Sequence, residues 1–427
     1  MTSGARTVVR TYLVLVSGNT LATSLIWGIN TLFLLDAGLS NLEAFAANAF
    51  FTAGMVLFEI PTGLVADARG RRASFLLGTV VLAASTLAYY LLWASHGPFW
   101  LWAVVSVLIG LGYTFFSGAT EAWLVDALAS TGYTGTLEAV FGRAQVVSGV
   151  AMLLGAVGGG MLAEVTSLGA PFLVRVGALL AMGVVAAVWM HDRGFAPGRT
   201  VPAGRAARAI LAASVRHGLG NPPVRWLMLA APFASGVGIY AFYAMQPFLL
   251  DLYGDQGAYT VAGLAAAILG CAQAVGGLLA PTLRRLVARR TSAVLLGALA
   301  SAAALAALGF TSSFALALGL LVVWGLVEAA AMPVRRAYLN DLIPGDQRAT
   351  VLSFDSLMAN LGGIGIQPAL GRVADLRGYG ASYVVGAVVQ VMAVPFLLLS
   401  RRQRHPADRG LAAVAPAPPE PEAPARA

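Results

Sequence analysis

The sequence contains few charged residues, no lysine and a single cysteine. Of its 427 residues, 11% are charged and 58% are hydrophobic, whereas about 25% of the residues of an ordinary soluble protein are charged. The composition therefore favours a membrane protein and argues against a soluble enzyme or a nucleic-acid-binding domain. The lone Cys271 excludes an intramolecular disulfide. The four histidines are isolated in the sequence, so we expect neither a metal nor another cofactor.

Hydrophobic runs long enough to cross a bilayer, which takes about 20 residues, occur twelve times. We number them TM1 to TM12. The first six lie near 12–35, 42–66, 73–94, 100–128, 139–164 and 170–190. The last six lie near 226–251, 259–283, 291–310, 314–340, 349–372 and 380–400. The predicted fold class is an all-α integral membrane protein of 12 transmembrane helices in two pseudo-symmetric six-helix bundles.

Arginines are concentrated in alternate connections between these runs. One set of connections holds Arg6 and Arg10, the 69–72 loop, the 193–225 and 284–290 stretches, Arg335, Arg336 and Arg348, and the 401–409 stretch. The opposite set holds little beyond Arg175, Arg372 and Arg377. Because basic residues favour the cytoplasmic side, both termini are predicted to be cytoplasmic.

The predicted organisation has four parts. They are an N-terminal bundle over 1–190, a basic cytoplasmic linker over 191–225, a C-terminal bundle over 226–400 and a disordered cytoplasmic tail over 401–427. Within the linker, the 205–219 stretch is either a short amphipathic helix on the inner leaflet or a solvated connection.

The two halves also resemble each other in sequence. In TM4, Glu121-Ala-Trp-Leu-Val-Asp126 matches Arg336-Ala-Tyr-Leu-Asn-Asp341 in TM10. The end of TM5, Gly160-Met-Leu-Ala-Glu164, matches Gly371-Arg-Val-Ala-Asp375 in TM11. Repeated halves of this kind are typical of secondary transporters, which bind substrate between the halves.

The loop after TM2 reads Gly63-Leu-Val-Ala-Asp67-Ala-Arg-Gly70-Arg71-Arg72. It resembles the signature loop of the major facilitator superfamily, G-x-L-a-D-r-x-G-r-r/k, with Ala68 as the departure from the pattern. Topology and repeat extend the resemblance over about 1–400, most nearly to 12-span bacterial drug/proton antiporters. The resemblance implies a cytoplasmic gate formed by Gly63, Asp67, Gly70, Arg71, Arg72 and Asp126.

Elementary chemistry assigns roles to the same residues. Gly63 would let another helix approach TM2 closely. Asp67 would cap the positive end of a nearby helix such as TM11. Arg71 or Arg72 would pair with Asp126. The alternative is that the arginines of this loop only determine topology.

Two other antiporter signatures fit poorly. Many drug/proton antiporters carry an arginine in the middle of TM4, and none occurs in 104–112. In TM5, Gly155-Ala-Val-Gly158-Gly159 has Ala156 where those antiporters have proline. The departures weaken the case for export by proton exchange, and the spacing of Gly155 and Gly159 predicts instead a close helix contact.

Charged residues within the predicted helices require an explanation, because an acid at the bilayer centre costs about 2.5–3.5 kcal/mol. Glu121 is expected to pair with Arg143, and Asp355 with Arg335 or Arg336. Glu328 and Glu59 have no basic partner at their depth. They are candidates for proton coupling, since burial favours the neutral form of a carboxyl. The alternative for both is a neutral carboxyl that is only hydrogen-bonded.

Other polar and aromatic residues are candidates for a substrate cavity. They are Asn19, Thr23, Trp27 and Asn30 in TM1, Phe116 in TM4, Tyr240, Tyr243 and Gln246 in TM7, and Trp324 in TM10. For any one of the aromatic residues, interhelical packing is the simpler interpretation.

The favoured function is proton-coupled efflux of small amphipathic compounds by alternating access. The first alternative is a symporter or facilitator that imports a small metabolite, and the remote one is a non-transporting receptor or scaffold. We expect no enzyme, because the sequence has no nucleophile–base pair and no phosphate-binding loop. The expected partners are a small-molecule substrate, protons and the lipid bilayer, without nucleic acid or an ATP-binding domain. The arginine-only, alanine- and glycine-rich composition fits a bacterium with a GC-rich genome, so we expect the cell (plasma or inner) membrane as the location. We also expect a monomer.

Overall fold

The computed structural model describes residues 3–195, 204, 208, 212 and 215–410 of the chain. All regular secondary structure in that part is helical. In the first half, the helices are TM1 at Ser3–Ser24 and Asn30–Asp36, TM2 at Asn41–Arg69, TM3 at Arg71–Ser95, TM4 at Phe99–Thr114 and Ala119–Ser130, TM5 at Leu137–Val165 and TM6 at Ala170–Trp189.

The second half begins with a short π-helix at Val215–Leu219. The next helices are TM7 at Pro222–Tyr253, TM8 at Tyr259–Leu286, TM9 at Arg290–Phe310 and TM10 at Phe314–Leu342. A short 3₁₀ turn at Gly345–Gln347 precedes TM11 and TM12, which lie within Arg348–Val391 and Ala393–Arg402. Most of the amphipathic helix considered for 205–219 falls outside the described residues.

Ten helical stretches of the described chain are long and apolar enough to cross a membrane. The last of them, Thr350–Arg402, has 53 residues. It is interrupted at Gly378, whose φ of 79° and ψ of 168° are not helical, so it contains both TM11 and TM12. The two parts of TM1 are separated by turn residues 25–29 and are not among the ten. All twelve predicted helices are therefore present, although TM1 is broken.

Helix contacts show how the chain is assembled. TM1 packs on TM5 and TM6, and TM4 lies between TM2 and TM3. TM7 packs against the TM11–TM12 pair, and TM10 packs against TM8 and TM9. Helices of the first half contact those of the second half mainly where TM2 meets TM11 and where TM5 meets TM8.

The break in TM1 packs against small residues of TM5. A methyl group added at Gly155 would lie 1.9 Å from Ser24 Oγ, and one added at Gly159 would lie 1.8 Å from the carbonyl oxygen of Leu25. The close helix contact predicted from the glycine spacing is therefore confirmed. Broken backbone at membrane depth is tolerated where neighbouring helices bury it in this way.

An acidic residue after the last helix of each half caps the third helix of that half. Asp192 accepts a hydrogen bond from the Arg72 N–H at 2.9 Å. Asp408 accepts from the Thr291 N–H at 2.7 Å and from its hydroxyl at 3.0 Å. The prediction of a disordered tail was therefore wrong for 401–410, because Asp408 finds a helix N-terminus to bind. Residues 411–427 lie outside the described part.

We expect Gly159→Ala to disrupt the TM1–TM5 contact, because its methyl group would overlap the Leu25 carbonyl oxygen. The loss should be about 1–3 kcal/mol of unfolding free energy, the usual effect of overpacking. Gly158→Ala is the matched control, since no atom lies within 4 Å of a methyl group added there. The measurement is the unfolding temperature in detergent; equal values for the two variants would contradict this packing.

Candidate central cavity

A cavity of about 510 Å³ lies between the two halves of the chain. Its volume is in the range of small-molecule sites, which is about 300–1,000 Å³. Its aromatic lining consists of Trp27, Phe51, Phe242, Tyr243 and Trp324. Its polar lining includes Asn48, Thr52, Ser235, Gln273, Glu328, Arg335, Asn360 and Gln390. The cavity can therefore hold an aromatic or apolar compound that also carries a few polar groups.

Four of the predicted cavity and proton-coupling residues line this cavity: Trp27, Tyr243, Trp324 and Glu328. The Trp27 and Phe242 rings lie 5.1 Å apart and join TM1 of the first half to TM7 of the second. The sequence reasoning missed Phe51, Gln273, Asn360 and Gln390. Their positions facing a space between the halves could not be recognised without the helix orientations.

The other predicted cavity residues do not line it. They are Asn19, Thr23, Asn30, Phe116, Tyr240 and Gln246. Phe116 packs on Phe75 in the protein core, with ring centroids 4.7 Å apart. Tyr240 is buried and donates to the Ser382 hydroxyl at 2.5 Å. These side chains lie between packed helices rather than in the cavity wall. For the aromatic residues, this was the simpler interpretation.

Polar TM1 residues serve as links between helices. Asn30 donates to the Asn48 side chain at 3.0 Å. The buried Gln246 side chain of TM7 accepts from the Thr31 N–H and donates to the Trp27 carbonyl oxygen, each at 2.8 Å. This amide therefore satisfies backbone groups beside the break in TM1 and joins the two halves.

Glu328 lies in the cavity wall next to neutral groups. Gln390 donates to its Oε1 atom at 3.1 Å, and the buried Ser301 hydroxyl lies beside the same carboxyl. The described residues contain three ion pairs, none of which involves Glu328. An acid with neutral partners in such a place can bind either a proton or a cation.

The other acid beside the cavity has a fixed partner. Both Asp355 oxygens accept from Arg335, at 2.6 Å and 2.8 Å, and Arg335 also donates to the Leu227 carbonyl oxygen. Of the two partners predicted for Asp355, the structure selects Arg335. Arg336 is exposed and is in none of the ion pairs of the described chain.

The remaining charged candidates lie outside the cavity lining. Glu59 is exposed on TM2 and accepts from the Ser117 hydroxyl at 2.8 Å, outside the cavity lining. Glu121 and Arg143 are exposed and form no ion pair within the described chain. Similar depth did not make them face each other, because Arg143 lies in a recess against TM1 that includes Arg6.

The acidic residue of the signature loop pairs with an arginine of the same loop. Asp67 binds Arg71 at 2.6 Å, so Arg71 does not make the predicted pair with Asp126. Gly70 has a φ of 97°, and a methyl group there would lie 2.2 Å from Asp192 Oδ2. No atom lies within 4 Å of a methyl group built on Gly63, so the predicted close helix is absent from this position.

The predicted pairing occurs in the other half of the repeat. Asp341, the counterpart of Asp126, binds Arg290 at 2.5 Å. Arg290 begins TM9 as Arg71 begins TM3. The sequence repeat therefore includes this aspartate–arginine ion pair. Within the described chain the pair forms in the second half and not in the first.

We call the end of the molecule that holds the TM1–TM2, TM5–TM6, TM7–TM8 and TM11–TM12 connections the closed end. There, Asp375 of TM11 accepts from the N–H groups of Asn41 and Leu42 at 2.8 Å and 2.9 Å. Glu164 of TM5 accepts from the Thr260 N–H at 2.8 Å. Each carboxylate binds the first turn of a helix in the opposite half.

Six hydrogen bonds between the halves lie in one region of the described chain. They are the closed-end contacts just given, the Tyr379 hydroxyl bond to Asn41 and the two Gln246 bonds to TM1. At the opposite end, the signature-loop residues Asp67, Arg71 and Arg72 form their hydrogen bonds within their own half. We call this end the open end.

Sequence comparison gives the family. The model of the Major Facilitator Superfamily matches residues 12–290 and 256–424. The chain belongs to the Major Facilitator Superfamily. Members of this superfamily are transporters, so the family supports transport as the role of this chain. No functionally curated protein matched the chain by sequence.

Solved transporter structures share the fold. The nucleoside transporter NupG aligns with a TM-score of 0.77 and 9% identity over 92% of this chain and 99% of its own. A bacterial homologue of human Spinster, in an inward-facing unoccupied conformation, gives 0.70 and 17% over 94% and 98%. A D-xylose-proton symporter gives 0.63 and 17% over 92% and 96%.

We expect Asp355→Ala to lower the unfolding free energy by about 3–5 kcal/mol, because it leaves the Arg335 guanidinium unpaired in the cavity wall. The double variant Asp355→Ala with Arg335→Ala should recover much of that loss. Thermal unfolding in detergent measures both. A double variant that is no more stable than the single one would contradict a structural ion pair.

Proposed function

We propose that this superfamily member is a secondary active transporter that exports small amphipathic organic compounds in exchange for protons. The observation that carries the proposal is the Glu328 carboxyl, which lies in the wall of an aromatic-lined cavity with Gln390 as its hydrogen-bond donor. A carboxyl in such surroundings binds a proton readily. A carboxyl that gains and loses a proton as access to the cavity alternates would couple transport to protons.

Alternating access would supply the transport cycle. In this proposal the two six-helix bundles move against each other, both termini are cytoplasmic and the closed end is extracellular. The structure then corresponds to an inward-open state. The placement of the arginines supports this orientation, and the hydrogen bonds that join the halves at the closed end support this state.

The signature loop would act when the open end closes. The unoccupied space at Gly63 would receive TM11, and Asp67 would exchange Arg71 for the N-terminus of TM11. Arg71 would then be free to bind Asp126. Through these contacts the signature loop, which includes Gly63, Gly70 and Arg72, would form a cytoplasmic gate.

The alternative is a proton symporter or facilitator that imports a metabolite. The missing TM4 arginine and the alanine at 156 favour it, because both depart from the antiporter patterns. A non-transporting receptor remains the remote alternative. We further propose a monomer in the cell membrane of a bacterium, coupled to protons and without an ATP-binding domain.

Everted vesicles with an acidic interior test the proposal. Lipophilic cations, antibiotics and neutral metabolites are added, and proton release is followed by dequenching of a pH-sensitive dye. We expect protein-dependent dequenching with lipophilic compounds. Symport or facilitation would give none with correctly folded protein, and that result would overturn proton-coupled export.

We expect Glu328→Gln to abolish this dequenching while ligand binding is retained, because the amide keeps the shape and loses the titratable group. Glu59→Gln is the matched control and should keep the coupling, since Glu59 lies outside the cavity. Unchanged pH dependence in Glu328→Gln would remove Glu328 from the coupling mechanism.

A further inference from the structure

A buried arginine in TM6 has no place in the function proposed so far. Arg175 was counted from the sequence among the connections at the closed end. It lies instead within TM6 and is 2% exposed. A charge within the membrane is expensive, and such residues normally pair with an opposite charge or face an aqueous cavity. Arg175 therefore requires a partner.

The partners of Arg175 in the structure are neutral. Its Nη2 atom donates to the Tyr113 hydroxyl at 3.2 Å, and that hydroxyl donates to Thr23 Oγ1 at 3.2 Å. The guanidinium carbon lies 5.7 Å from the Tyr113 ring centroid. Its Nε atom is buried with no acceptor. No acid of the described chain forms an ion pair with it.

A further unpaired acceptor lies on the same helix as Thr23. Asn19 stands one helical turn before Thr23, on the same face by spacing. Its side-chain oxygen is buried without a hydrogen-bond donor. The interior of the first half thus contains a small polar group of residues around one uncompensated positive charge.

This group lies directly behind the wall of the cavity. The Tyr113 ring is 5.4 Å from the ring of Phe51, which lines the cavity. Phe51 belongs to TM2, which packs against TM11 of the second half. A movement of the halves that carries TM11 away from TM2 would therefore open the cavity wall in front of Tyr113 and Arg175.

We propose that Arg175 is a binding site for a carboxylate group of the transported compound. Arginine presents a planar pair of N–H groups that matches a carboxylate. One guanidinium balances one negative charge, whereas a phosphate dianion would remain partly uncompensated. The aromatic cavity lining would hold the apolar body of the same molecule. The inference rests on the proposed transport function and narrows its substrate class to amphipathic carboxylates.

The test uses purified full-length protein in detergent and two probes of one shape, 2-naphthoate and 2-naphthamide. Binding is measured by calorimetric titration. We expect the wild-type protein to prefer the carboxylate, and Arg175→Gln to bind 2-naphthoate about tenfold or more weakly, with amide binding unchanged. Arg175→Lys keeps the charge and should keep part of the preference. Equal binding of the two probes by the wild type, or an undiminished preference in Arg175→Gln, would overturn the proposal.

The unfolding temperature distinguishes a ligand-binding role of Arg175 from a purely structural one. An unpaired buried charge kept for a ligand does not stabilise the free protein, so Arg175→Met should unfold at the same or a higher temperature. A clear fall in that temperature, with the preference for 2-naphthoate retained in Arg175→Lys and Arg175→Gln alike, would identify Arg175 as an anchor for Tyr113.

The two proposals can fail separately. Binding in detergent involves no proton gradient, so a carboxylate preference that depends on Arg175 would stand even if Glu328→Gln left coupling intact. Proton release driven only by compounds without an anionic group, and unaffected by Arg175→Gln, would instead retain the exporter and overturn the carboxylate site.

Discussion

Carboxylates bound to the first backbone N–H groups of helices are the interaction on which this structure depends. A helix begins with N–H groups that have no partner within the helix and with a partial positive charge. Asp375 and Glu164 satisfy such groups across the two halves at the closed end. Asp192 and Asp408 do so within each half. The same chemistry thus stabilises each half and also joins the halves.

The interior contains two kinds of charged side chain. Some form an ion pair with an opposite charge, and others have only neutral hydrogen-bond partners. Arg335 and Asp355 neutralise each other in the cavity wall and need no ligand. Glu328 has the neutral Gln390 as its donor, and Arg175 has the neutral Tyr113 as its acceptor. A membrane interior tolerates such groups where they bind something transient. In the proposed cycle, the acid in the cavity wall would bind a proton and the guanidinium behind the wall would bind an organic anion.

Hydropathy and arginine placement were sufficient to predict twelve helices, and glycine spacing predicted the TM1–TM5 contact, because both depend on local sequence. Side-chain orientation was not predictable in the same way. Tyr240 and Tyr243 are three residues apart, yet one is packed in the core and the other lines the cavity. The cap formed by Asp408 could not be predicted, because it depends on the chain folding back onto TM9. Arg175 was misplaced because an arginine near a helix end resembles a topology signal, and only burial distinguishes it.

Alternating access, the central claim, is tested most directly by distances between spin labels at the two ends. In a Cys271→Ser background, one pair is placed at Ser95 and Ser312 on the closed end and another at Thr134 and Ala288 on the open end. Removing the closed-end acceptors with Asp375→Ala and Glu164→Ala should lengthen the first distance and shorten the second, measured by double electron–electron resonance. Two distances that stay unchanged, or that lengthen together, would contradict the account.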